Sequence, residues 1–192
     1  MDTDHHQLRK YSRAFWVLMF LNISYLFWMK QWLQPLTTGD ILSLEIARTV
    51  PRARQLLADM MAAPQKLEKL NASIYLDFMF IVMYVPLLIV AVRYLGRLTG
   101  QDLLKRAGMF FTVIVLMAGT CDILENLLMI KTLGGRVEEL TVRMTYNFAA
   151  AKFSMVIMTM MLILVQGGFV IARLMAKKEV GEMLFRENYQ KG

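Results

Sequence analysis

The sequence predicts an all-α membrane protein, a polytopic four-helix up-down bundle with a short amphipathic helical cap between its first and second membrane helices. Two observations predict it. Of the 192 residues, 57% are hydrophobic and only 19% charged, outside the usual range for a soluble domain. Four stretches, about 14–33, 73–95, 107–133 and 148–175, exceed the ~18 apolar residues that suggest a spanning helix. Residues 1–192 read as a single integral membrane domain, because no segment is long and polar enough to fold apart from the bilayer.

The first apolar stretch follows Arg9, Lys10 and Arg13, the arrangement of a signal peptide. It is too long and too aromatic for one, and no small-x-small cleavage site follows Trp28 or Trp32, so it should stay attached as an anchor. The loop at about 36–72 is too long for a turn. Ile41, Leu44, Leu56, Leu57 and Met60 have helical spacing, broken at Val50-Pro51 and again at Pro64. This predicts two short amphipathic helices that lie on the outer membrane surface or lid the bundle, with their charges on a solvated face. Gly134-Gly135 should end the third helix. Gly167-Gly168, in the fourth, would permit close helix approach or a bend. The seventeen methionines read as adaptable packing residues.

Basic residues near the membrane set orientation. The amino tail carries Arg9, Lys10 and Arg13, the second connection Arg93, Arg97, Lys105 and Arg106, and the carboxyl tail Arg173, Lys177, Lys178, Arg186 and Lys191. These twelve face eight on the other side: Arg48, Arg52, Arg54, Lys66, Lys69, Lys131, Arg136 and Arg143. Both termini should therefore be cytoplasmic. The net charge of +7 becomes a property of the face near anionic headgroups, and no nucleic-acid partner is expected.

Ionisable groups at membrane depth are a functional-site hypothesis by default. Gly119, Asp122, Asn126 and Met129 are spaced by three and four, with Glu125 flanking them. Lys152, Thr159 and Gln166 share a face of the fourth helix, Asp77 and Tyr84 a face of the second, and Asn22 and Tyr25 form a smaller pair on the first. With both termini inside, Asp77, Asp122, Glu125, Asn126 and Lys152 all fall in the outer half of the bilayer. The candidate site is thus Asp77, Tyr84, Asp122, Glu125, Asn126 and Lys152.

Three carboxyls against one lysine do not balance. Either carboxyls hold protons, or a cation or basic ligand sits among them, or water hydrates the group. A proton, a cation or a lipid-like amphiphile entering from outside is one reading. A polar knot that only fixes helix packing in a structural or accessory subunit is another. An enzyme acting on lipid through two carboxyls comes third, and no enzyme class is assigned. His5 and His6 lie in the amino tail, so helix-borne haem, zinc or di-iron ligation lacks its usual residues. No cofactor is expected, a cation apart. Cys121, the single cysteine, reads as a small apolar residue, and the helix serines have no histidine partner.

The segment from Ser73 through Leu76-Asp77-Phe78-Met79-Phe80 to Tyr84, followed by Asp122-Ile123-Leu124-Glu125-Asn126, resembles a group of uncharacterised bacterial four-helix integral membrane proteins. They pair a Leu-Asp-Phe-x-Phe…Tyr helix with an Asp-x-x-Glu-Asn helix, and the stretch Leu44-Glu-Ile-Ala-Arg-Thr to Leu57 is similar to the one before their second helix. The resemblance covers about half the chain, Leu42 to Leu128. It implies that Asp77, Tyr84, Asp122, Glu125 and Asn126 belong together, and it implies a bacterial inner membrane. It implies no activity. The lipid bilayer is the expected partner, with assembly into an oligomer or larger membrane complex left open.

Overall fold

The computed structural model describes residues 2–135 and 137–190, with side chains placed for 6–135 and 137–176. Of the basic residues counted for orientation, Arg136 and Lys191 lie outside the described residues, as do the side chains of Lys177, Lys178 and Arg186. Every regular element of the described chain is a helix: α1 (Asp2–Trp32), α2 (Thr38–Glu45), α3 (Val50–Met61), α4 (Pro64–Thr99), α5 (Asp102–Leu133) and α6 (Glu139–Gln190). Three helices are long and apolar enough to cross a membrane, namely Pro64–Thr99, Asp102–Leu133 and Glu139–Ala176. α1 is not among them, its apolar run being diluted by Asn22, Ser24, Tyr25, Lys30 and its three tryptophans.

The helices extend past the apolar stretches because backbone hydrogen bonding continues where hydropathy stops. α4 begins nine residues before the expected start at 73. Pro64 is its first residue, where a missing N–H costs nothing. From there Leu70, Ser73 and Ile74 carry the buried stripe upward. Gly100, at φ 70, takes the left-handed conformation that closes α4, and α5 follows at once. α4, α5 and α6 pack on one another, and α1 lies along α4. Asn22 Nδ2 donates to the Leu18 carbonyl at 2.8 Å and to the Met83 carbonyl of α4 at 3.0 Å. Tyr25 Oη donates to the Leu76 carbonyl at 2.8 Å. The polar pair of α1 therefore fastens it to α4.

The two expected short helices form, and they pack on α4, α5 and α6. Leu44, Leu57 and Met60 join Leu70, Ile74 and Met129 in one core cluster, and Ala47 and Ala53 meet Val142 of α6. α2 is held by a capping box in which Thr37 and Asp40 exchange side-chain and backbone hydrogen bonds. The Thr37 backbone N–H lowers the Asp40 carboxyl below its ordinary range, helped by the Thr37 hydroxyl and by Lys66 at 3.1 Å. Gly167 and Gly168, expected to mediate close approach or a bend, face open space, with no atom within 4 Å of where a Cβ would stand. The close approach is made elsewhere, by Gly108 and Gly119 of α5.

Candidate functional site

The stripe on α5 is buried as its spacing requires: Gly119, Asp122, Asn126 and Met129, with Glu125 beside them. Lys152, Thr159 and Gln166 are likewise buried along one face of α6. These faces meet. Lys152 Nζ lies 2.8 Å from Asp122 Oδ1 and 2.8 Å from Glu125 Oε2. Tyr84 Oη of α4 donates to the other Asp122 oxygen at 2.8 Å. Asp122 is thus bonded on both oxygens and ties α4 to α6 through α5.

Asp77 joins one turn away, accepting from Asn126 Nδ2 at 2.7 Å. Asn126 sits about 6 Å along α5 from Asp122, so Asp77 lies close to the level of Asp122 along the helices. The six candidate residues thus fall into two neighbouring sets, Tyr84, Asp122, Glu125 and Lys152 in direct contact and Asp77 bonded to Asn126 about one turn away.

Glu125 is the exception to this good pairing. Its side chain is wholly buried, yet among the described residues neither carboxylate oxygen accepts a hydrogen bond. Oε2 touches the Lys152 ammonium, but not along a bonding direction. A buried carboxyl without donors is costly as an anion.

A fourth carboxyl completes the cluster, and the solvated-face expectation for the loop helices fails at this residue. Glu45, the last residue of α2, points its carboxyl 3.9 Å from Lys152 Nζ with its side chain only 14% exposed. Its carboxyl and that of Glu125 converge on the same Lys152 ammonium, and two carboxyls can share a hydrogen bond only when one of them carries a proton. Burial pushes the Glu45 carboxyl above its ordinary range, and the Asp122 charge adds to this, while Lys152 opposes it. The signal was present in the spacing: Glu45 follows Ile41 by four residues and so lies on the apolar face of α2. An acid on that face goes wherever the face goes, which is onto the bundle.

A small cavity of about 40 Å³ borders the group, lined by Met29, Leu33, Ile41, Glu45, Asp77 and Asn126, among others. About 10–15 Å³ of such space holds a water, so the cavity suits a few waters and is too small for an acyl chain. Among the described residues, no three His, Cys, Asp or Glu side chains are arranged to hold a metal ion. The Lys152 ammonium fills the middle of the carboxyls, where a cation would have to sit.

No family model, curated protein or solved structure matches this chain. The likeness carried by the Asp77 and Asp122 motifs therefore stays a resemblance, and the geometry alone bears on function.

Proposed function

We propose that this chain is a multi-pass inner-membrane protein, with α1 as a fourth span beside α4, α5 and α6, whose Lys152-centred carboxyl cluster takes up and releases protons. The observation that carries this reading is Glu125, fully buried, with no hydrogen bond to either oxygen among the described residues, and converging with Glu45 on the Lys152 ammonium. A proton shared by that pair would supply the missing donor. Three carboxyls, those of Glu45, Asp122 and Glu125, surround one ammonium, and a fourth, Asp77, lies about a turn away in a medium of low dielectric. Neutrality then requires protons, and the small cavity beside Glu45 and Asp77 has room for water to carry them. A proton suits this space better than a metal ion or a lipid-like ligand. The competing reading is a packing device, favoured by Asp122, whose two oxygens are both bonded in a truss across three helices.

Infrared difference spectroscopy on the protein in lipid nanodiscs separates the two. Proton exchange predicts a protonated-carboxyl stretching band that rises and falls with bath pH, disappears in Glu125→Gln and weakens in Glu45→Gln. A band that never titrates would leave only the packing role. Stability should follow the same groups. Because burial raises Glu45, the folded chain holds that proton more tightly than the unfolded chain. Stability should therefore fall as pH rises from the ordinary glutamate range through the raised value, and Glu45→Gln should flatten that slope.

The basic asymmetry supports cytoplasmic termini and an outward-facing lid. Single cysteines introduced at Asp59 and Gln101, in a Cys121→Ser background, test it with an impermeant reagent. Labelling at position 59 from outside and at 101 only from inside is the expected pattern. The reverse pattern overturns the orientation.

A further inference from the structure

Far from the acidic cluster, at the other end of α4 and α5, a second recess has the opposite electrostatic character. It holds about 280 Å³ between Leu8 of α1, Gly96 and Arg97 of α4, Gly100 of the turn, and Asp102 and Lys105 of α5. Two cationic side chains and one carboxylate line it. Arg97 is fixed in place: one guanidinium nitrogen donates to Gln7 Oε1 at 2.7 Å, and the group stacks on the Tyr11 ring at 4.6 Å. Its planar fork suits two oxygens of one phosphate, and Lys105 adds a mobile point charge.

Two further features favour an anion in this recess. Arg173 of α6 stands behind the turn, donating to the Leu98 carbonyl at 3.0 Å, and adds to the positive charge there. α5 begins at the recess, and Gln101, its N-cap residue, makes no side-chain capping bond. The first-turn N–H groups of this 32-residue helix thus have no intrahelical or N-cap side-chain acceptor, and its dipole adds to the positive field. On the other side of Arg97 a shallower hollow of about 470 Å³ continues past Lys10 and Tyr11 to Ala14 and Val90. It offers apolar wall in the direction of the membrane core.

We propose that this recess binds a phosphate group, of the kind an anionic phospholipid headgroup presents, with Arg97 and Lys105 as its ligands. The site is independent of the proton reading, since it involves none of the same residues and neither orientation of the chain.

The test is thermal unfolding of the full chain in neutral detergent. The probes are dihexanoyl-phosphatidylglycerol, dihexanoyl-glycerol lacking the phosphate, and inorganic phosphate. The phosphatidylglycerol should raise the midpoint saturably, because a ligand bound only by the folded state stabilises it; the phosphate-free lipid should not. Removing both cations in Arg97→Gln/Lys105→Gln should weaken the apparent affinity about tenfold or more. Arg9→Gln/Arg106→Gln removes the same charge from the same end but outside the recess, and should retain the shift. Lys105→Gln alone keeps the test usable if the double variant fails to fold. A shift produced equally by inorganic phosphate, with the same variant dependence, supports the phosphate site and assigns it to the free anion. Equal losses in both double variants, or equal shifts with and without phosphate on the lipid, overturn the site.

Discussion

Replacing Lys152 by methionine should destabilise the protein by about 3–5 kcal/mol, because it strips from a buried group of carboxyls the only cation that the described residues place there. A total stability of roughly 5–15 kcal/mol is usual, so much of the folded population should be lost at moderate temperature. Methionine nearly matches the shape of the lysine stem, and the loss is therefore electrostatic rather than a cavity. The Lys152 ammonium contacts Asp122 and Glu125 at 2.8 Å and Glu45 at 3.9 Å. Without it these carboxyls must bind extra protons or separate, and separation would lift α2 off the bundle. Restoring neutrality should restore folding. Lys152→Met combined with Asp122→Asn and Glu125→Gln keeps the hydrogen-bonding shape and removes two of the stranded charges. That triple variant should recover most of the lost stability. Denaturation of the single and triple variants in matched detergent measures both effects. If the single variant melts with the wild type, the cluster does not behave as one charge-coupled unit.

The sequence made most of this group legible because helical periodicity is a local property. Asp122, Asn126 and Met129, or Lys152, Thr159 and Gln166, need only a regular α-helix to share a face, and lipid leaves polar faces one place to go. Depth added the rest, since Asp77 and Asn126 could be levelled from the helix ends alone. Glu45 escaped because a loop position has no depth until its packing is known. Its charge looked solvated beside Arg48 and Asp40, whereas the face it shares with Ile41 and Leu44 turns inward. The start of α4 escaped for a related reason. Gln65, Lys66, Glu68 and Lys69 are too polar for lipid, so the apolar run begins at 73, although Leu67, Leu70 and Ile74 already mark one helical stripe. Hydropathy locates the bilayer, and only hydrogen bonding and packing locate the helix ends. The long apolar helices and the lid were readable, while which end of the lid enters the cluster required tertiary contact.

The same contrast between local and tertiary information predicts a graded response along the glycines. Gly108→Ala should be the most damaging of three conservative substitutions. A Cβ there would lie 2.5 Å from the Val92 carbonyl oxygen and 3.2 Å from its carbon. Backbone cannot rotate away, so α5 must move off α4, and overpacking of this kind costs about 1–3 kcal/mol. The displacement also reaches Gln166, whose Nε2 would lie 3.5 Å from the new methyl and now donates to the Leu104 carbonyl at 3.1 Å. Gly119→Ala brings a Cβ to 2.7 Å from Val85 Cγ2, but that neighbour is a side-chain methyl rather than backbone, so the cost should be smaller. Gly167→Ala meets nothing within 4 Å. There alanine's better helix propensity should leave stability unchanged or raise it by up to about 1 kcal/mol. Unfolding midpoints of the three variants give the order directly. Equal destabilisation at all three positions would mean that glycine content, rather than the contact of α4 with α5 at Val92, governs how these helices pack; a loss confined to Gly108 and Gly119 would fix the contact faces that bring Asp122 to Tyr84.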